Sequence, residues 1–259
     1  MVGDFSPYVE TQTQTDICCQ GGQHTYGVRI DEPGTTRREA APSALRDAAS
    51  HLRASLRADG AADGEDEDFE RPEREWASLI QWAEDQGLIL PASFPAAEKE
   101  GGREHLVRFD SSAGLWWKYT HLSTAGKTVS WDLDGRPYMH NALPLQYLER
   151  LLLQNQVFGD EVQLRGLWNP SGYDWTLVST QPHVVGEKVS LMELKKAFEL
   201  VGFECLPWRG IGYADSLAFR KEGFDVWDVH PANALVTSDG LPLPFDTVLT
   251  LTPSVFPTV

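Results

Sequence analysis

The chain has few cysteines and no long apolar run, and both shortages narrow the class of protein. Three cysteines occur among 259 residues, Cys18, Cys19 and Cys205, and none stands in a C-x-x-C pattern. That spacing argues against a disulfide framework and against a structural zinc site. No stretch approaches the roughly 18 apolar residues of a membrane-spanning helix, and the opening MVGDFSPYVE lacks a signal-peptide pattern. We therefore expect a cytoplasmic protein without a membrane partner.

Positive charge is also scarce. Lysine and arginine total 22 against 38 acids, which gives a formal net charge of -16. A surface of that sign repels phosphate backbones, so we expect no nucleic-acid partner. A nucleotide such as ATP remains a possible ligand, because one pocket can differ in sign from the whole surface. The hydrophobic fraction of 41%, with 9 Trp and 11 Phe, indicates a packed core and excludes a wholly disordered chain.

The first 75 residues read as an extension that ends in an acidic linker. A helix is predicted over Ser43–Leu56, with Ser43 as its N-cap. Between Asp59 and Glu75 there are nine acids and two arginines, a net charge of -7. Like charges with few apolar residues predict an exposed segment, and a second helix is predicted to begin at Trp76.

The remaining chain predicts an α+β fold, because its strands and helices do not alternate as they do in a doubly wound sheet. Strands are predicted at His105–Asp110, Leu115–Thr120, 174–180 and Phe224–Asp228. One helix is predicted to begin at Pro144 and another at the S-x-x-E capping box of Ser190. Near the end, Ala234–Thr237 and Leu241–Val248 read as a hairpin.

The segment around this hairpin carries a pattern with chemical meaning. Asp228 and Asn233 stand in D-x-x-x-x-N spacing, and Asp246 follows across the hairpin. Phosphoryl transfer uses one carboxylate to orient the acceptor hydroxyl, and an amide oxygen and a second carboxylate to hold Mg²⁺. Asp225 is a second nearby acid, but only Asp228 has the five-residue step to Asn233. Alone, the pattern also fits a capped turn, since Asp and Asn are common turn residues.

Two charged residues upstream suit the same chemistry. Lys118 interrupts the apolar strand LWWKYT, where a buried ammonium needs a partner. Glu149 lies on the following helix. In kinases, a strand lysine paired with a helix glutamate grips the α- and β-phosphates. Taken separately, an outward-facing strand lysine and a solvent-facing helix acid also account for the two residues.

Four segments in order resemble the kinase-like domain of bacterial polyvalent proteins, over about residues 98–248: GGREHLVRFDSSAGLWWKYT, YLERLLLQNQVFGDEVQLRGLW, LVSTQPHVVGE and DVHPANALVTSDGLPLPFD. The resemblance implies a small two-lobed kinase-like fold with ATP between the lobes. The N-terminal extension would cover residues 1–75, the small lobe 76–180, and a truncated C-terminal lobe 181–259.

By motif position, the resemblance also assigns site residues. Three would form the catalytic group and its ion pair: Asp228, Lys118 and Glu149. Two would hold Mg²⁺: Asn233 and Asp246. Four would join Lys118 in contacting ATP: Gly101, Gly102, Gln181 and His183. The two adjacent glycines stand where a G-x-G-x-x-G loop is usual, and they can let backbone N–H groups approach phosphate.

The expected function is an ATP- and Mg²⁺-dependent phosphotransferase that acts on an unidentified protein side chain or small molecule. Two alternatives stay open: a catalytically silent kinase-like interaction protein, and a nucleotidyl transferase on the same fold. The silent alternative is favoured by the missing G-x-G-x-x-G loop and by the acidic extension. It is also favoured by the 13 residues after Asp246, too few for an activation segment.

Overall fold

A computed structural model describes residues 43–58, 70–100, 104–121 and 124–253. These ranges contain helices and antiparallel sheets, so the α+β class is confirmed. The helices are α1 (Ala44–Ala58), α2 (Arg71–Asp85), α3 (Pro144–Phe158) and α4 (Leu191–Leu200). No helix in the described ranges has the length and apolar character needed to cross a bilayer.

The strands fall into two larger sheets and two hairpins. They are β1 (Lys99–Glu100), β2 (His105–Asp110), β3 (Leu115–Thr120), β4 (Lys127–Trp131), β5 (Pro137–Asn141), β6 (Gln163–Trp168), β7 (Thr176–Pro182), β8 (Glu204–Arg209), β9 (Leu217–Lys221), β10 (Phe224–Val229), β11 (Ala234–Val236), β12 (Pro242–Pro244) and β13 (Val248–Leu251). The pairs β4–β5 and β11–β12 form the hairpins.

The first large sheet has five antiparallel strands in the order β1-β2-β3-β7-β6. The helix α3 lies between β3 and β6 in the chain and packs against the sheet. Its Leu148 and Leu151 share one core cluster with Leu164 and Leu177 of the sheet. This arrangement holds β3, the strand that carries Lys118, between β2 and β7.

The helices α1 and α2 pack into the same core. The position of α2 also corrects the predicted end of the acidic linker. The helix α2 begins at Arg71, not at Trp76, and Glu75 in its second turn is only 1% exposed. The Glu75 carboxylate accepts hydrogen bonds from the Leu145 backbone N–H (2.8 Å) and from Arg71 Nε (2.9 Å). A negative charge at the first turn of α3 is favourable, which explains why this acid is buried. The rest of the linker, 59–69, and residues 1–42 lie outside the described residues.

The second large sheet, β13-β10-β9-β8, packs against α4. Phe198 of α4 stacks on Phe219 of β9, with ring centroids 4.5 Å apart. The predicted strand Leu241–Val248 is wrong, because this segment divides: β12 pairs with β11, and β13 pairs with β10 in the larger sheet. The Phe245 N–H donates to the Asn233 carbonyl at this break, which places Asp246 between the two strands.

Replacing Glu75 with glutamine should lower the stability of the whole domain. Glu75→Gln keeps an acceptor for Leu145 but removes the charge that pairs with Arg71 and the first turn of α3. We expect a loss of about 1–2 kcal/mol in the free energy of unfolding, measured by urea denaturation. Glu73→Gln on the same helix is the matched control, since Glu73 is exposed. Equal stability of the two variants would contradict this role of Glu75.

Candidate functional site

The site is centred on a contact between Lys118 and the segment that joins β12 to β13. Lys118 Nζ donates to the Phe245 carbonyl (2.6 Å) and lies 3.4 Å from Asp246 Oδ1. The lysine side chain is 14% exposed and that of Asp246 21%. The strand lysine therefore has an acidic partner that lies 128 positions later in the chain. This contact joins the five-stranded sheet to the C-terminal part of the molecule.

Asn233 ties the two aspartates together. Its Nδ2 donates to three oxygens, each at 3.1 Å: the Asp228 carbonyl, Asp228 Oδ2 and the Asp246 carbonyl. Because every neighbour of this nitrogen is an acceptor, the surroundings fix the orientation of the amide. Over the described part of the chain no hydrogen bond engages Asn233 Oδ1. The amide oxygen therefore has no protein donor among the described residues, and its predicted role as a Mg²⁺ ligand stays a prediction.

Asp228 is held in a strained conformation by a glycine-containing loop. Its φ is +61°, which is unusual for a residue other than glycine and costs on the order of 1–3 kcal/mol. Oδ1 accepts a hydrogen bond from the Tyr213 N–H at 2.7 Å. A Cβ on Gly212, whose φ is +105°, would lie 2.5 Å from this carboxylate, so the close approach requires glycine there. The Tyr213 ring stacks on His230, with centroids 4.7 Å apart, beside the carboxylate.

The environment of Asp228 favours a proton acceptor. Burial raises the pKa of the Asp228 carboxyl, and the negative charge of Asp246 adds to this effect. The Tyr213 N–H and His230 act in the opposite direction and only partly offset it. A carboxylate whose pKa lies above its ordinary value is a better general base than an exposed aspartate.

The structure contradicts the predicted ion pair between Lys118 and Glu149. Glu149 Oε1 instead accepts a hydrogen bond from Arg53 Nε of α1, at 2.8 Å. Successive helix residues point about 100° apart, so the next residue, Arg150, faces the site. Arg150 is 2% exposed, forms a very short ion pair with Glu104, and donates to the Lys127 carbonyl at 3.1 Å. An arginine therefore stands where the pattern predicted an acid.

Asp246, Glu104 and His105 lie close enough together to bind one cation. His105 Nδ1 is 3.4 Å from Asp246 Oδ1 and 3.9 Å from Glu104 Oε2, and His105 Nε2 lies 2.8 Å from the Tyr147 hydroxyl. However, Arg150 already neutralises Glu104, and Lys118 neutralises Asp246. A divalent ion bound to all three would have to displace Arg150 from Glu104, so the cluster is better explained as a charge-balanced network.

The pKa of Asp246 reflects this network. Burial alone would raise it, but the Lys118 ammonium, His105 and the Arg150 guanidinium together hold the pKa of the Asp246 carboxyl well below its ordinary value. Asp246 is therefore ionised throughout the physiological pH range. An ionised carboxylate is the form that binds both an ammonium group and a metal ion.

Asp160 is a buried acid that no sequence motif indicated. It is 5% exposed, and its Oδ2 accepts a very short hydrogen bond from Gln154 Nε2 and one of 2.9 Å from Gln181 Nε2. Burial raises the pKa of Asp160 to about 6, although the two amides and the charge of Lys118 oppose this effect. The only sequence signal was an acid placed directly after Gly159, the residue that ends α3.

Of the four residues predicted to join Lys118 in contacting ATP, the structure describes Gln181 and His183. The Gln181 side chain is buried and bound to Asp160. His183 Nδ1 accepts a hydrogen bond from Trp116 Nε1 at 3.0 Å. Both side chains already have protein partners, so their contact with adenine stays a prediction. Gly101 and Gly102 lie outside the described residues.

Comparison of the chain with protein-family models, with curated proteins and with solved structures finds no match in any of the three.

The raised pKa of Asp160 predicts a pH dependence of stability. Because the folded state holds this proton more tightly than the unfolded state, the free energy of unfolding should fall as pH rises from about 4 to 6. Asp160→Asn removes the carboxyl group that titrates, and with it this pH dependence. Relative to wild type, the variant should gain about 2–3 kcal/mol at pH 7.5 and almost nothing at pH 4.

Urea denaturation at both pH values tests this prediction. Asp134→Asn, which changes an exposed acid, is the matched control and should show the same difference from wild type at both pH values. A difference between Asp160→Asn and wild type that does not change with pH would contradict the proposed pKa.

Proposed function

We propose that the protein is an ATP- and Mg²⁺-dependent phosphotransferase. One observation carries the proposal: four residues from three parts of the chain, which the sequence pattern grouped together, are joined by direct contacts. Lys118 contacts Asp246, and Asn233 binds both Asp246 and Asp228. A capped turn would explain Asp228 and Asn233, but it would not explain a strand lysine at the same place.

The chain topology supports the two-lobed kinase-like arrangement that the resemblance implies. Lys118 lies on β3, and the helix α3 follows before the sheet resumes, which is the order of the lysine strand and the neighbouring helix in protein kinases. Asp228 lies near the end of β10 of the second sheet, and Asn233 lies in the loop that follows this strand. The contact of Lys118 with Asp246 lies where these two parts of the molecule meet.

Two residues have the chemistry to hold Mg²⁺. The Asp246 carboxylate and Asn233 Oδ1 are hard oxygen donors, and a hydrogen bond from Asn233 Nδ2 to the Asp246 carbonyl joins the two residues. When bound, Mg²⁺ would neutralise charge on the β- and γ-phosphates. Lys118 would then donate to phosphate oxygens in place of its contacts with Asp246 and Phe245.

Asp228 would act as the base towards the acceptor. As the acceptor oxygen forms a bond with the γ-phosphorus, the bond from phosphorus to the β–γ bridging oxygen breaks, and its electron pair leaves with ADP. The proton of the acceptor hydroxyl passes to a carboxylate oxygen of Asp228. The hydrogen bonds from Tyr213 and Asn233 fix that carboxylate, so no energy is needed to orient it during the reaction.

A specific observation favours a second candidate, the catalytically silent kinase-like interaction protein. The helix acid expected to grip Lys118 is paired with Arg53, and Arg150 takes the position facing the site. A protein of this kind could keep the fold while binding no nucleotide. Measurement of ATP binding therefore separates the two candidates.

Titration of ATP with and without Mg²⁺ tests the proposal. Wild type should bind ATP more tightly with Mg²⁺, and Asp246→Asn should lose that gain because a full negative charge facing the metal is removed. Asp228→Asn should keep the Mg²⁺-dependent affinity but lose at least 100-fold in turnover. Asp134→Asn is the surface control for both measurements. Binding should be measured well below each variant's melting temperature, since Asp246→Asn also loses the ion pair with Lys118.

ATP labelled in either the α- or the γ-phosphate identifies the group transferred. Label from the γ-position on the acceptor supports phosphoryl transfer, and label from the α-position would replace it with nucleotidyl transfer. Absence of ATP binding by wild type would favour the silent interaction protein.

A further inference from the structure

We propose that Asp160 is the residue that positions Lys118 once Asp246 has turned to the metal. This inference rests on the proposed function, since it concerns the state with ATP and Mg²⁺ bound. In that state Lys118 loses Asp246 as its partner. The phosphates then supply the opposite charge, and a fixed carboxylate on the protein side would hold the ammonium where it can donate to them.

The sheet register places Asp160 on the same side as Lys118. In the antiparallel pair of β3 and β7, Lys118 lies opposite Ser179 and Trp116 opposite Gln181. Side chains of directly paired residues lie on one face, and residues two apart on a strand share that face. Gln181 therefore projects from the same face as Lys118. Because Gln181 Nε2 donates to Asp160 Oδ2, the carboxylate also lies over this face.

The other candidate acids are already committed. Glu149 is paired with Arg53, and Glu104 with Arg150 and the Lys127 N–H. The charge of Lys118 lowers the pKa of the Asp246 carboxyl and also that of the Asp160 carboxyl. With Asp246 on the metal, Asp160 is the remaining acid that acts on Lys118.

The hydrogen bonds of Asp160 leave one oxygen for this role. Gln154 and Gln181 both donate to Oδ2, and among the described residues no hydrogen bond reaches Oδ1. Gln154 belongs to α3 and Gln181 to β7, so the carboxylate is fixed between helix and sheet. Asp160 would thus take the role expected of a glutamate on α3. The side-chain amides of Gln154 and Gln181 hold its carboxylate in place. It acts through Lys118 and is a positioning residue.

A double-mutant cycle on nucleotide affinity tests the proposal. Asp160→Asn keeps the shape and an oxygen that can accept from both glutamines, but it removes the charge. We expect about a tenfold weaker affinity for Mg²⁺·ATP and an unchanged affinity for adenosine, because Lys118 contacts only phosphates. In a Lys118→Met background the Asp160→Asn change should have no further effect. A general defect of the pocket would weaken adenosine binding as well.

The outcomes separate this inference from the proposed function. If wild type binds no ATP, the proposed function fails. If wild type binds Mg²⁺·ATP and Asp160→Asn binds it equally well, or if the two substitutions act additively, the role of Asp160 is wrong. Asp160→Ser provides the same test should the asparagine variant not fold. Recovery of Mg²⁺·ATP affinity in Asp160→Glu, which restores the charge, would support the proposal further.

Discussion

The arrangement of the site depends on a single buried ammonium group. Lys118 is placed by a central strand of one sheet and reaches a carbonyl and a carboxylate between β12 and β13. An unpaired ammonium at 14% exposure would be costly, so the two parts of the molecule must meet where Asp246 can neutralise it. The same contact brings Asn233 and Asp228 to the lysine, because Asn233 binds the backbone of Asp246.

Around this pair the interior contains alternating charges, although the chain as a whole carries -16. Arg150 balances Glu104, His105 lies between Glu104 and Asp246, and Lys118 balances Asp246. Removing one member leaves an uncompensated charge, which is far more costly than the loss of an exposed ion pair. We infer that this mutual dependence fixes α3 and β2 relative to the Asp246 segment.

The strands and helices that the sequence predicted were those with strong local signals. The capping box of Ser190 and the apolar period of α3 depend on neighbours a few residues away, and both appear in the structure. The start of α2 was missed because Glu75 is buried by a partner 70 positions later, the N-terminus of α3. No local pattern contains that information. The break between β12 and β13 was missed for the same reason, since Phe245 is held by Asn233 across the hairpin.

The prediction of site residues was also limited by contacts between residues far apart in the chain. Spacing predicted that Asp228, Asn233 and Asp246 would lie together, and Asn233 contacts both aspartates. It also separated Asp228 from Asp225, which is fully buried and paired with Arg220. The helix acid was assigned to Glu149 because it is the acid on α3, yet the face that α3 turns to the sheet presents Arg150. Which side of a helix faces the sheet depends on tertiary packing, and the spacing of residues in the sequence does not determine it. Asp160 escaped notice because only the fold places it beside Gln154 and Gln181.

The most direct test of the account uses a nucleotide with a reactive acyl-phosphate group, which transfers its acyl group to a lysine next to the bound phosphates. Peptide mass spectrometry then identifies the modified residue. Lys118 should be labelled in preference to the other lysines, and excess Mg²⁺·ATP should prevent the labelling. Labelling spread over exposed lysines, or labelling of Lys118 that ATP does not reduce, would contradict a phosphate-binding role for this residue.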